Sequence, residues 1–377
     1  MYCNILEERE IMSLERKTFA ELTAQKNAMA MFEQVSILLT RECPISCEHC
    51  YSNCGQTAPK GDDKKIMSRI KNICDNDEIK TILITGGEPF LKYDFLIEVV
   101  KVITSYNKEV ILYTNAYWAS TIDIVKEKLN KLKDVTLIMT SVDRYHQKFI
   151  PLKNVKNLVK GAQEIGFYNG IVLTLEPDDE EFEIEVREKF SDISNEYFEI
   201  ITQPISLIGR AENLYDKYSS YFENNIPKGI CSLMTSVIDE SGNFFGCCCI
   251  HEKLPIENPF YYGNIDEDNF SNIFKRFKED IVSLGLRTLG PKRLFELVEE
   301  KHKNQFEKFK KSKYLKDDMC RFCLDLFTIP GVYNSVKEEL NSKYGKEKEF
   351  DDLIFIHPIS VYLHLWCGLC YSFLDEK

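Results

Sequence analysis

From Val35 to Gln203, short β-branched apolar runs alternate with longer stretches whose apolar positions recur at helical spacing. The runs Val35 to Thr40, Thr81 to Thr85, Glu109 to Thr114, Val135 to Ser141, Gly170 to Leu175 and Phe198 to Gln203 predict six strands. Between them, stretches such as Phe95 to Ile103 and Ile122 to Leu132 carry the stripe of an amphipathic helix. Strands that alternate with helices in this way predict a parallel sheet. Six such units predict an α/β fold built as an open or partial parallel barrel, with chemistry at the C-terminal ends of the strands.

After about Leu214 the pattern changes. Ser236 to Asp239 and Phe244 to Cys248 flank Glu240-Ser241-Gly242-Asn243, which predicts a hairpin. Asp266 to Lys316 is mostly helical and strongly charged, with Lys308 to Lys313 read as a solvated basic face. Leu353 to Leu374 is apolar but contains His357, Pro358, Ser360 and His364, which predicts a buried terminal segment and no membrane span. The expected organisation is a helical extension over 1–31, a partial (β/α)6 barrel over 32–214, and a small α+β module of hairpin and helices over 215–377.

Composition narrows the function. With 44% hydrophobic and 29% charged residues the 377-residue chain is neither disordered along its length, nor a collagen, nor a coiled coil. Forty-eight basic against sixty acidic side chains give a net charge of -12, which argues against a nucleic-acid partner. Fourteen cysteines in a chain that starts Met1-Tyr2-Cys3-Asn4, without the pattern of a signal peptide, predict a cytoplasmic protein with reduced thiols serving metal binding or catalysis. Dinucleotide, P-loop, zinc-protease and serine-hydrolase motifs are missing from the sequence.

Directly after the first predicted strand comes Cys43-Pro44-Ile45-Ser46-Cys47-Glu48-His49-Cys50, three thiols spaced C-x3-C-x2-C at the expected functional edge of the sheet. Three thiolates on one loop can hold three irons of a [4Fe–4S] cluster and leave the fourth open. The competing reading is a zinc site completed by His49 or Cys54. After the second strand comes Gly86-Gly87-Glu88-Pro89, where two glycines allow close backbone approach to a ligand and the proline fixes the following turn.

The pairing of this cysteine loop with a Gly-Gly-Glu-Pro turn closely resembles the radical S-adenosylmethionine (SAM) superfamily, over roughly Phe32 to Leu214. The resemblance implies a SAM-binding [4Fe–4S] cluster held by Cys43, Cys47 and Cys50, and SAM bound by Gly86, Gly87, Glu88 and Pro89. Tyr51 stands where relatives often place an aromatic near the adenine, and Asn115, Ser141 and Asp143 end the next two strands as further cofactor candidates. Tyr145, His146 and Gln147 follow on the same loop as candidate cofactor or substrate contacts, with loop packing for Tyr145 and a solvent-exposed loop position for His146 as the plain alternatives. Gly209-Arg210-Ala211 ends the barrel as in many relatives. The implied reaction is reductive cleavage of SAM to methionine and a 5′-deoxyadenosyl radical that abstracts a hydrogen atom. An electron donor such as flavodoxin or ferredoxin is implied with it.

In the second module, Cys231, Gly242 and Cys247 followed by Cys320-Arg321-Phe322-Cys323 resemble the twitch form of the SPASM extension, which implies an auxiliary [4Fe–4S] cluster on Cys231, Cys247, Cys320 and Cys323. Tyr262-Gly263-Asn264-Ile265 also fits that extension, whereas its further cysteine continuation after Cys323 is missing. Cys248 and Cys249 are alternative ligands or hydrogen-atom donors, and alternation along a strand would put Cys248 on the face opposite its neighbours. Trp366-Cys367-Gly368-Leu369-Cys370 reads as buried thiols, cluster ligands or a redox pair, and Cys3 and Cys74 as buried or incidental. Such relatives act mainly on ribosomally made peptides, by oxidation, cross-linking or epimerisation. Others dehydrogenate or epimerise carbohydrate or aminocyclitol groups. The 31 residues before the barrel are too few for the peptide-binding winged helix of some relatives, so a separate leader-peptide-binding protein is a candidate partner. The non-enzymatic alternative is a zinc-binding structural protein.

Overall fold

The computed structural model describes residues 32–223, 226–227, 235–248, 258–310, 314–315 and 318–344. The expected extension over 1–31, Cys231, Cys249 and the apolar stretch with Cys367 and Cys370 lie outside the described residues. Strands β1 (Gln34–Leu38), β2 (Thr81–Thr85), β3 (Glu109–Thr114), β4 (Leu137–Val142), β5 (Tyr168–Leu175) and β6 (Phe198–Pro204) appear where the sequence places them, within two residues at either end. Each pairs with the next in parallel. The α/β class and the mostly parallel sheet of a partial barrel are therefore as expected.

Crossing between the strands are α1 (Asp63–Cys74), α2 (Tyr93–Ser105), α3 (Ile122–Asn130), α4 (Leu152–Glu164) and α5 (Glu180–Phe190). Asp62 caps α1 by accepting from the Lys64 and Lys65 N–H groups, and Thr121 caps α3. Strand alternation then sorts the side chains. Val35, Ile37, Ile82, Ile84, Val110, Leu112, Ile138, Ile171 and Leu173 face the helices and pack in one large core with Ile70, Leu96, Val125, Leu158 and Val186. The opposite face gathers Leu83, Ile111, Leu137 and Met139 against Tyr113, Tyr168, Val172 and Ile201, which fills the inside of the partial barrel. Each fully buried side chain contributes about 1.5–3 kcal/mol.

Past β7 (Phe222–Glu223), the predicted hairpin forms from β8 (Ser236–Ile238) and β9 (Asn243–Phe245), with β10 (Tyr261–Asn264) antiparallel to β9. It does not stand apart. β8 lies parallel to β1, with Val35 opposite Ser236, so nine strands form one sheet across the boundary expected near Leu214. The physical reason is that β1 would otherwise present an open edge. Val237 and Phe245 close it on Leu38, and Arg69 ties α1 to the hairpin through Asp266 and the Glu240 and Ser241 carbonyls.

The charged helical stretch resolves into α6 (Phe270–Glu279), α7 (Ile281–Thr288), α8 (Gly290–Val298) and α9 (Lys303–Lys310). After β11 (Tyr314–Leu315), which pairs with β7, come α10 (Met319–Phe327) and α11 (Val332–Tyr344). Helix α6 packs into the barrel core through Phe270, Ile273, Phe274 and Phe277. The later helices share a second core that includes Val282, Leu294, Phe306, Phe322, Leu326 and Val336. Cys320 and Cys323 sit on a helix, because Phe322 and Leu326 recur at helical spacing and Asp318 caps α10. One sequence expectation changes here. Strand β9 stops at Phe245, so strand alternation does not assign faces to Cys247 and Cys248. Among the described residues no helix is long and apolar enough to cross a membrane.

Asp318 does more than cap. Its buried carboxylate also accepts from the Ser206 hydroxyl and the Leu207 N–H, fastening the Cys320–Cys323 helix to the chain leaving β6. Asp318→Ala leaves these donors unmet and is expected to lower the unfolding free energy by about 2 kcal/mol. Urea denaturation of the iron-free protein measures it, and an unchanged midpoint contradicts the assignment.

Candidate active site

The cysteine loop leaves the end of β1 and is zipped to itself at its neck. Arg41 N–H donates to the Pro59 carbonyl (2.9 Å), Gly55 N–H to Arg41 (3.1 Å) and Cys43 N–H to Gly55 (3.0 Å). Inside this neck, a tight turn in which Cys50 N–H donates to the Cys47 carbonyl (3.2 Å) folds the loop on itself. Cys43, Cys47, Cys50 and Cys54 consequently join one apolar cluster with Tyr145 and Ile205, and none of the four is in a disulfide.

The Gly-Gly-Glu-Pro turn braces the loop from the next strand. Gly87 N–H donates to the Thr40 carbonyl (2.6 Å) and Glu88 N–H to the Glu42 carbonyl (2.9 Å). A Cβ on Gly86, at φ +148°, would lie 2.5 Å from the Thr40 oxygen, and one on Gly87 would lie 2.1 Å from the Glu42 oxygen. The glycines are thus required by the cysteine loop's own backbone, whatever ligand also approaches them. Pro89 opens a short 3-10 turn. The Glu88 side chain is fully buried and accepts from Phe90 N–H (3.0 Å), the Thr114 hydroxyl (2.9 Å) and Asn115 N–H (2.7 Å). Burial pushes its carboxyl up to about 7 against the pull of these donors. Asn115, so held, donates its side-chain amide to Cys43 Sγ (3.5 Å).

At the end of β4, Ser141 is half-buried, and Asp143 is buried beyond it. Asp143 accepts from the Tyr145 and His146 N–H groups and bridges two imidazoles, His146 Nδ1 at 2.6 Å and His49 Nε2 at 3.3 Å. Although burial alone would raise it, the two histidines hold Asp143 well below the usual carboxylate range. His146 is raised well above its usual value by Asp143 and Cys47, against the effect of burial. Tyr145 is buried, stacked on His49 at 4.8 Å, with its hydroxyl engaged by Tyr218 and Lys217. Tyr51 remains exposed.

The thiols differ in electrostatics. Burial pushes Cys43 up to about 12. Cys50 is the opposite case: hydrogen bonds from Cys54, from the Cys54 and Ser52 backbone and from Arg210 hold it well below the usual range, despite burial. Three cysteines in one cluster fit a [4Fe–4S] group; His49 Nδ1, on the same loop, and Gln147 Nε2 are buried without a hydrogen-bond partner among the described residues. Cys47, His49 and His146 also bring one ligand atom each within 4.8 Å of one another. Farther along, Cys247 and Cys323 border the same second core, with Cys320 one turn before Cys323 on α10. Cys248 lies close enough to Tyr113, whose phenol burial pushes up to about 12, for its charge to add to that shift. Sequence reasoning passed over Thr114 and the structural roles of Cys54 and Arg210, and named Gln147 as a candidate cofactor or substrate contact. Only the C-x3-C spacing from Cys50 to Cys54 offered a local signal.

Residues 37–188 match the family model of the radical SAM superfamily. The chain is similar to "Putative peptide biosynthesis protein YydG" of Bacillus subtilis, 24% identical over 324 residues that span 83% of this chain and 97% of that protein. It is also similar to "Probable GTP 3′,8-cyclase" of Pyrococcus horikoshii, 29% identical over 131 residues, 34% of this chain and 41% of that protein. A solved structure described as "Native anSMEcpe with bound AdoMet" matches 86% of this chain and 98% of its own length, at 15% identity and a TM-score of 0.49.

The Thr114 hydroxyl accepts from Ala116 N–H and the Trp118 indole, so its own hydrogen goes to Glu88. Glu88→Gln therefore sets an amide N–H against the Asn115 N–H and is expected to cost about 1–3 kcal/mol of stability. Thermal or urea unfolding of the iron-free protein checks this, and a neutral substitution would contradict the clasp.

Proposed function

We propose that this chain is a radical SAM enzyme that modifies a ribosomally made peptide. The observation that carries the reading is the convergence of Cys43, Cys47 and Cys50 on a buried loop braced by the Gly86–Pro89 turn. When bound, the cluster and SAM supply a 5′-deoxyadenosyl radical able to abstract a hydrogen atom. The chain's own residues bind, orient and exclude water. Cys43, Cys47 and Cys50 hold three irons, Asn115 orients Cys43, and Asp143 fixes the imidazoles of His49 and His146 beside Cys47. Gly86, Gly87, Ser141 and Tyr51 border the loop as the cofactor-facing set, while the Glu88 carboxylate serves as an internal brace.

The peptide substrate is supported by the similarity to a relative named for peptide biosynthesis along nearly its whole length. Cys231, Cys247, Cys320 and Cys323 are the proposed ligands of an auxiliary [4Fe–4S] cluster, in keeping with the placement of Cys247 and Cys323 at one core. Oxidation, cross-linking and epimerisation are the outcomes open to this site; for epimerisation Cys248, whose charge reaches Tyr113 on the inner face at the end of β3, is the proposed hydrogen-atom donor. In that route a substrate C–H bond breaks, the Cys248 S–H delivers its hydrogen atom to the opposite face, and the sulfur regains one electron and one proton from a donor such as flavodoxin or ferredoxin. Cys249, the other candidate donor, lies outside the described residues. Dehydrogenation or epimerisation of a carbohydrate or aminocyclitol is the alternative for the same site. The grouping of Cys47, His49 and His146 is what a structural zinc site would use.

Anaerobic reconstitution is expected to give about eight irons per chain for two [4Fe–4S] clusters, with SAM cleaved to 5′-deoxyadenosine under dithionite. Cys47→Ala abolishes cleavage, and retention of full activity would sink the proposal. One zinc per chain and no brown colour would favour the structural metal site. Turnover in heavy water separates the outcomes: epimerisation adds one solvent deuterium to an unchanged skeleton, oxidation or ring closure removes two hydrogens. Cys248→Ala is expected to abolish the deuterium gain while leaving SAM cleavage in place.

A further inference from the structure

The chain returning from β6 closes on the cysteine loop at one point. Gly209 adopts φ +60°, and a Cβ there would lie 2.3 Å from the Tyr51 carbonyl oxygen, so only glycine allows this approach. The next residue, Arg210, donates its backbone N–H to the Cys50 carbonyl at 3.0 Å. Its guanidinium donates to the Cys54 carbonyl and lies close enough to the Cys50 sulfur to favour the thiolate, while its Nε is buried without a hydrogen-bond partner among the described residues. Neighbouring cations are neutralised: Arg41 pairs with Asp239 and Glu240, and Lys60 with Glu42. No ion pair joins Arg210 to a carboxylate among the described residues.

We propose that Arg210 is a positioning residue for Cys50 that sets the reduction potential of the SAM-binding cluster. This rests on the reading of Cys43, Cys47 and Cys50 as its ligands. A guanidinium stays protonated at any working pH, so its charge and N–H donors face Cys50 permanently. Adding one electron makes the cluster more negative, and a fixed positive charge with hydrogen bonds to a ligand sulfur stabilises that state more than the oxidised one. Arg210 thereby makes the first reduction easier, at a ligand remote in sequence from it.

The test is a redox titration of the anaerobically reconstituted full chain, followed by electron paramagnetic resonance. The relevant signal is the one that changes when SAM is added. In Arg210→Met the ratio of reduced to oxidised cluster at a fixed potential is expected to fall about tenfold, which is about 59 mV for a one-electron couple. Arg210→Lys, which keeps the charge, is expected to recover part of the loss. Loss of iron from Arg210→Met but not from Arg210→Lys supports the same role, since charge then decides whether Cys50 is held. An unchanged midpoint in an iron-replete Arg210→Met overturns the proposal. So does equal loss of iron from both variants with unchanged circular dichroism, which would make Arg210 a scaffold for the Cys54 carbonyl alone. Failure of the unsubstituted protein to bind iron would instead overturn the cluster reading itself.

Discussion

The site depends on the parallel pairing of β1 with β2 being continued beyond the strands. The hydrogen bonds from Gly87 to Thr40 and from Glu88 to Glu42 extend it into two loops, so the cysteine loop and the Gly-Gly-Glu-Pro turn share one register. This contact tolerates no side chain at Gly87, where a Cβ would collide with the Glu42 carbonyl. A loop with three thiols loses conformational entropy in bringing them together, and here backbone bonds at its neck offset that loss. Asn115 and Arg210 then reach the loop from β3 and from beyond β6, so the end of the sheet frames it on both sides.

Charge around the loop is distributed unevenly, and the distribution follows from burial. Glu88 is fully enclosed and serves as an acceptor for three donors, which joins the ends of β2 and β3. Asp143 is enclosed as well but meets two imidazoles, so it stays ionised and fixes their rings beside Cys47. Cys50 accepts from the Cys54 N–H with the Arg210 guanidinium nearby, and Cys43 accepts from the Asn115 amide, but burial dominates at Cys43. A site built this way distinguishes its thiols from one another by their surroundings alone. Metal ligands are generally oriented by such partners.

Much of this was legible in the chain. The strands were visible because each is a short apolar run between turns, and boundary differences such as Val135 against Leu137 reflect fraying of the pattern at strand ends. The cysteine spacing and the glycine pair could be read because both are local. What escaped was nonlocal: Asn115 meeting Glu88 across 27 residues, Arg210 meeting Cys54 across 156, and Gln34 meeting Thr235 across 201, where β8 joins the barrel sheet. The placement of Cys248 failed for a different reason, since the rule of alternation holds only while a strand lasts and β9 ends at Phe245.

The central claim is that Cys43, Cys47 and Cys50 bind a cluster whose fourth iron is left for SAM. Mössbauer spectroscopy of the reconstituted protein, before and after addition of SAM, reads this directly. The account predicts that one iron of the four in that cluster changes its environment on addition of SAM while its three thiolate-ligated neighbours do not. Four irons that remain equivalent with SAM present would contradict it.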